Sequence, residues 1–325
     1  MRKLVPIFFI CDDNYMKYIN VCIKSIVLNA SPENDYEIHI LNTDITEKTI
    51  EIAKRLETPY VKIMFDDVTA RLEKIKDKLF VRDYYNLTTY YRFFIADMFP
   101  QFDKVIYIDG DTVVLDDIAK LYDIDLEDNL IGGAHEQAFC QSDLYGTYID
   151  KVLGISRYET INAGVMLIDT YAFRKENMLA QFIKLLGEYK FVVTQDEDYL
   201  NVLCNGRIKF IDDGWNTQTF MDLVVAEDDM KIIHYDMAIK PWTFKDCKLI
   251  DYFWFYAEQT EYYDELKQGL ENFTAEKRQK ALSVFDSLEK LALSEIERPD
   301  NYYKMKLKNA ARNRFAYNKA RALNK

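Results

Sequence analysis

A chain of 325 residues that is 49% hydrophobic can bury a substantial core, and ten glycines with six prolines leave little material for linkers or low-complexity tracts. A net charge of −12 argues against broad nucleic-acid binding; Asn301–Lys325 carries eight basic residues and no acid, so removing those eight charges from −12 leaves the first 300 residues at −20. The five cysteines (Cys11, Cys22, Cys140, Cys204, Cys247) are odd in number, scattered and free of any C-x-x-C pair, which excludes a disulfide frame or a structural zinc site and fits a reducing compartment.

The first apolar run, Leu4–Ile10, is too short to span a membrane, is followed by no small-residue cleavage site, and predicts a strand; cytoplasmic residence is the matching expectation. Asp12-Asp13-Asn14 supplies a turn, and Ile19, Cys22, Ile23, Ile26 and Val27 have helical spacing over Tyr18–Leu28. Tyr36–Leu41 and Val61–Phe65 predict strands with a helix over Glu47–Leu56 between them, a pattern of wound α/β sheets. Helices are expected over Arg71–Phe80 and Leu87–Met98. The β-branched and aromatic run beginning at Lys104 then predicts a buried strand ending in Asp109-Gly110-Asp111. Two carboxylates one residue apart, at the carboxyl end of a buried strand, repel unless a cation sits between them, so the spacing suggests a divalent metal; Gly110 permits a turn and leaves room for a ligand. Asp and Gly are also ordinary turn residues, and Asp-x-Asp recurs at Asp123-Ile124-Asp125, so the surroundings must decide.

Leu130–Ala134 predicts a strand, Ile161–Asp169 a turn feeding a strand, and Phe173–Leu186 a single helix. A shorter helix is expected over Asp196–Cys204 with Asp196 as its cap, then a strand over Lys231–Tyr235. After about Asp251 the pattern is helical throughout. A catalytic domain over 1–268 and a helical extension over 269–325 are expected. Of the three histidines, His39 lies within a strand and reads as packing, His135 ends a strand and is a candidate for the cleft, and His234 ends a strand six residues before Lys240. His234 is either a strand-end histidine or a third ligand beside Asp109 and Asp111, completing a mixed N/O site suited to Mn²⁺ or Mg²⁺, with the nitrogen favouring Mn²⁺.

Several ordered motifs between about Val5 and Trp242 resemble family 8 glycosyltransferases, retaining enzymes of the GT-A fold. Cys11-Asp12-Asp13-Asn14-Tyr15 is similar to the family's nucleotide-binding opening, which implies that Asp12 accepts from the uracil N–H, Tyr15 stacks on the ring and Asn14 holds the uridine. Thr89-Tyr90-Tyr91-Arg92 resembles the segment whose arginine contacts the donor in the family, which implies that role for Arg92, and Tyr107-Ile108-Asp109-Gly110-Asp111 matches the metal-binding D-x-D. Ile161-Asn162-Ala163-Gly164-Val165 resembles the N-[AS]-G segment beside the donor sugar, and Asp196–Asn201 lies over D-Q-D-x-L-N. His234–Trp242 resembles H-x-x-G-x-x-K-P-W, implying His234 on the metal and Lys240 on the diphosphate. Two departures stand out: Met237 replaces the loop glycine, so the loop must change shape or give up a phosphate contact, and Glu197 replaces the glutamine beneath the anomeric carbon. A carboxylate there either steadies an oxocarbenium ion, attacks it, or points away.

The resemblance implies a metal-dependent hexosyltransferase that moves glucose or galactose from UDP to a glycan or glycolipid acceptor, with retention. Met237 supports the alternative, a sugar-nucleotide-binding protein without transfer activity. The basic and aromatic residues of 301–325 (Tyr302, Tyr303, Lys304, Lys306, Lys308, Arg312, Arg314, Tyr317) suit a segment lying on an anionic membrane.

Overall fold

A computed structural model describes residues 2–73 and 87–323. Its centre is a seven-stranded sheet made of β1 (Lys3–Ile10), β2 (Asn34–Asn42), β3 (Val61–Asp67), β4 (Lys104–Ile108), β6 (Ile131–His135), β7 (Ile161–Asp169) and β8 (Ile208–Phe210), in the spatial order β3-β2-β1-β4-β7-β6-β8. A smaller sheet places β10 (Ile232–His234) between β5 (Thr112–Val114) and β9 (Thr217–Gln218). β1 shows why the large sheet is covered on both faces: Val5, Ile7 and Phe9 enter one core cluster, and Phe8 and Ile10 enter the other.

Strands β1, β2, β3 and β4 are parallel, and the chain steps outward through β2 and β3 before returning on the other side of β1. That reversal makes the gap between β1 and β4 a topological switch point, where open α/β sheets take their ligands. β7 runs antiparallel to both β4 and β6. One edge of the sheet therefore collects the carboxyl ends of β1, β4 and β6 together with the amino end of β7. This brings Cys11-Asp12, Asp109–Asp111, Glu136 and Asn162–Gly164 to one edge although they lie as far apart as 150 residues in sequence.

Most predicted elements are present, with several differences. The run from Lys104 divides into β4 and β5 around the acidic turn, and β8 and β9 are short strands that the sequence did not announce. Ile161 already belongs to β7, and the turn lies just before it, in the 3₁₀ segment Arg157–Glu159. The helix expected over Phe173–Leu186 is two helices, Thr170–Lys175 and Met178–Glu188, broken at Asn177, whose backbone takes a left-handed φ of +53°. Asp196 does not cap its helix: Gln195 occupies that position with φ +52°, and Asp196 opens the first turn. Leu87–Phe94 winds as a 3₁₀ helix before a short α-helix, Ile95–Met98. Of the helix expected over Arg71–Phe80, only the Thr69–Leu72 turn falls within the described residues.

From Ile250 onward the regular elements are all helices, as expected: Ile250–Ala257, Tyr263–Glu271, Ala275–Glu297 and Tyr302–Leu323. Position 268 lies inside the second of these helices. No helix among the described residues is long and apolar enough to cross a membrane.

Candidate active site

The acidic turn after β4 is held open by packing and backbone pairing. The Asp109 N–H donates to Gly164 O at 2.7 Å, tying the turn to the start of β7, and Thr112 Oγ1 donates to Asp109 O at 2.9 Å. Gly110 does not use the left-handed backbone; a Cβ there would meet Ile19 Cγ1 at 2.3 Å, so glycine serves the close approach of the first helix. His234 follows from the pairing of β10 with β5, which sets it opposite Thr112.

Asp109, Asp111 and His234 each offer a ligand atom within 4.8 Å of the others. Asp111 Oδ1 lies 3.3 Å from His234 Nε2, yet it is buried and makes no hydrogen bond of good geometry. An orphaned carboxylate oxygen beside an imidazole nitrogen and a second carboxylate is a donor set that fits a small divalent cation. Asn216 Oδ1 lies 3.0 Å from His234 Nδ1 and orients the ring, leaving Nε2 toward the acids. Lys240 also bonds Asp111, so burial, which would raise the Asp111 pKa, is outweighed by Lys240 and His234, and the group is held well below the usual carboxylate range.

Arg92 is buried behind this turn. Its guanidinium donates to Ala163 O at 2.7 Å and Tyr107 OH at 3.0 Å, and ion-pairs with Asp109 and Asp196, each at 3.2 Å. It also lies 4.3 Å from the centre of the Tyr107 ring. One cation thus locks the ends of β4 and β7 to the Asp196 helix.

On the other side, Glu197 Oε2 accepts from the Ala163 N–H at 2.9 Å, which fixes the side chain toward the sheet edge. Glu136 accepts from the Ala138 N–H at 2.8 Å and from the Asn162 amide. Asn162 Oδ1 accepts from Asn216 at 2.9 Å, which continues the chain of contacts to His234. Burial pushes Glu136 up to about 7, and the Asp236 charge adds to this; burial and then the Glu136 charge raise Glu197. These two carboxyls face one cavity and oppose each other's ionisation.

That cavity, of about 530 Å³, is lined by Cys11, Asp12, Tyr15, Arg92, Asp109, Gly110, Asp111, Asn162, Asp196, Glu197, His234 and Lys240. All the sequence-predicted site residues except Asn14 and His135 reach it; Asn14 is exposed outside the lining. His135 does not line it either: the ring stacks on Phe210 at 4.4 Å, and its neighbour Glu136 takes the place in the cavity. Glu136 was the residue that sequence reasoning missed, although a charged residue directly after a buried strand was the same signal that drew attention to Asp109. His39 behaves as predicted, stacked on Phe8 and 2.9 Å from Asp66 within β2. Tyr15 packs edge-on against Tyr18 and Trp242, which stack on each other at 3.9 Å.

Met237, in place of the family's glycine, adopts φ +59°. The loop places a left-handed residue here, at a cost of roughly 1–2 kcal/mol for a side chain with a Cβ.

The model of glycosyl transferase family 8 matches residues 6–246. The chain belongs to that family. This family-8 chain is 27% identical over 247 residues to the lipopolysaccharide 1,3-galactosyltransferase of Salmonella typhimurium, covering 71% of each. Its fold matches the crystal structure of galactosyltransferase LgtC with donor and acceptor sugar analogs (TM-score 0.64, 24% identity, 79% of this chain and 96% of that one). It also matches the apo form of the bifunctional glycosyltransferase WbbM (TM-score 0.72, 25% identity, 83% of this chain), of which it spans only 52%. The architecture is the GT-A fold, a mixed α/β domain with a mostly parallel central sheet and a helical C-terminal region.

Proposed function

We propose that this protein is a retaining hexosyltransferase that transfers glucose or galactose from UDP to a glycan or glycolipid acceptor and requires Mn²⁺ or Mg²⁺. The observation that carries this reading is the Asp109–Asp111–His234 cluster with its orphaned Asp111 oxygen, set at the switch point of the sheet with Lys240 against it. Asp109, Asp111 and His234 would hold the cation, which supplies Lewis-acid stabilisation of a leaving diphosphate. Lys240 adds a second positive charge beside the same leaving group. Cys11, Asp12 and Tyr15 line the end of the cavity nearest β1, where a uridine would lie.

The sugar carries developing positive charge when its bond to UDP breaks. Glu197 and Asp196 face it, and Glu197 is fixed by the Ala163 N–H in an orientation that suits stabilisation of that charge. Asn162 and Glu136, bonded to each other, offer polar groups to sugar hydroxyls in the same space. The intact Asp109, Asp111, His234 and Lys240 favour a working transferase over a binding protein without activity. The acceptor belongs, on this reading, to a surface polysaccharide, and the protein works at the inner face of the cell membrane.

The tail supports the membrane contact through its charges more than its rings. Tyr302 packs on Tyr189 and Phe191, and Tyr303 sits against Gly154, while Lys306, Lys308, Arg312 and Arg314 are exposed. The decisive test is UDP release from UDP-glucose and UDP-galactose with Mn²⁺ and with chelator, wild type beside Asp109→Ala. Metal-dependent release by wild type alone is expected; failure to bind UDP at all would overturn the reading.

A further inference from the structure

The helix Ala275–Glu297 lies beyond the residues matched by the family model, yet it forms part of the cavity wall. Thr274 caps it, and at about 1.5 Å per residue its 23 residues can bridge a cleft. Its attachments follow a helical face. At the start, Arg278 makes a two-pronged ion pair with Asp246, both contacts 2.7 Å, and lies 4.7 Å over the Phe244 ring. In the middle, Phe285 stacks on Phe220 at 4.9 Å and 11°. Toward the end, Leu288 and Ala292 are buried in the core cluster that contains Tyr145 and Tyr148, and Glu295 bonds the Tyr189 hydroxyl. The helix is thus fastened to the segment that follows Lys240, to the loop after β9 and to the helices after β6.

Between the first two attachments, Ala281 and Val284 are half-buried and border the cavity, as does Phe273 just before the helix. Phe139 lines it from the β6 side. The cavity therefore has two chemically distinct walls. The sheet edge supplies Asp109, Asp111, Asn162 and Glu197, and this helix supplies carbon. An apolar wall offers nothing to a diphosphate. It does fit the C–H face of a pyranose ring, whose hydroxyls point sideways, and the side chains at 281 and 284 that form it are small.

We infer that this helix is the acceptor wall: Ala281 and Val284, with Phe273 and Phe139, receive the C–H face of a hexopyranoside acceptor and set which acceptors fit. The inference rests on the transferase reading above, which gives the donor sugar to the sheet edge and leaves the helix side for the acceptor.

The test is the ratio of sugar transfer to donor hydrolysis, measured with UDP-glucose and UDP-galactose, Mn²⁺ and a panel of p-nitrophenyl hexopyranosides. Val284→Phe fills the wall; the ratio is expected to fall at least tenfold through a raised acceptor KM, because the ring is displaced while water still reaches the reacting carbon. Ala281→Val, a smaller addition, keeps the test open should Val284→Phe fail to fold, and is expected to lower the ratio at least threefold. A ratio within twofold of wild type in the folded variants overturns the inference. So does a wild type that hydrolyses the donor but glycosylates no hexopyranoside. A wild type that neither binds UDP nor hydrolyses a donor refutes the transferase reading itself, and the acceptor wall falls with it.

Discussion

Replacing Arg92 with methionine keeps the length of the side chain and removes its charge. The guanidinium is 6% exposed and meets Asp109 and Asp196 at 3.2 Å each, besides its bonds to Ala163 O and the Tyr107 hydroxyl. Asp196 is itself 3% exposed. Taking away the cation leaves these carboxylates facing each other's elements without it, and breaking a buried pair from one side costs about 3–5 kcal/mol. For a chain of this size that corresponds to a fall in Tm of roughly 4–7 °C. The assay is urea unfolding at pH 7.5, followed by tryptophan fluorescence, on wild type, Arg92→Met, Asp196→Asn and the double variant. Neutralising Asp196 in the Arg92→Met background should restore at least about 1–2 kcal/mol, since the two sites are coupled. A loss below about 1 kcal/mol for Arg92→Met, or strict additivity in the double variant, would refute the idea that this ion cluster holds the site together.

Asp109→Ala and Asp111→Ala should each abolish metal-dependent UDP release; near-normal turnover by both would remove the metal from the proposed chemistry. Gly164→Ala would place a Cβ 2.2 Å from His234 Cε1, and should weaken Mn²⁺ binding in calorimetry by at least tenfold while the fold persists. Glu136→Gln removes a like charge that helps to raise Glu197, so the inflection on the acid side of the pH–kcat profile should move to lower pH; an unmoved profile would show that Glu197 titration does not govern the rate. Asp198, buried with Tyr148 OH donating at 2.7 Å, is pushed up to about 7 chiefly by burial. A folded pKa above the unfolded one means stability that is full below the unfolded value and lost as pH rises toward 7, at most about 1.4 kcal/mol per pH unit. Asp198→Asn should flatten wild-type stability between pH 4 and 7 in denaturant titrations, and an unchanged slope would contradict that.

Much of this site was legible because its chemistry sits where strands stop. Asp109, Asp111 and His234 follow apolar runs in the sequence, and local order alone brings each to an element's end. What local order could not reveal is direction. Nothing in Ile161–Asp169 says that β7 runs against its neighbours, yet that reversal is why Asn162 and Gly164, at its beginning, reach the same edge as Asp109, at the end of β4. Glu136 was hidden by its neighbour, since the histidine beside it drew the attention. Asn177 breaks the chain in the left-handed region that asparagine tolerates better than most residues, whereas Gln195 takes a positive φ that its type tolerates poorly, so tertiary packing overrode local preference at Gln195. Gly110 illustrates a correct residue with the wrong reason: the first helix, not the turn, requires it.

The order of synthesis gives the Ala275–Glu297 helix one more meaning. A ribosome releases the sheet and its polar edge before this helix. This helix adds the apolar side to a cavity whose polar side is complete by Lys240, so a chain cut before residue 275 would keep Asp109, Asp111, Glu197 and His234 without that side.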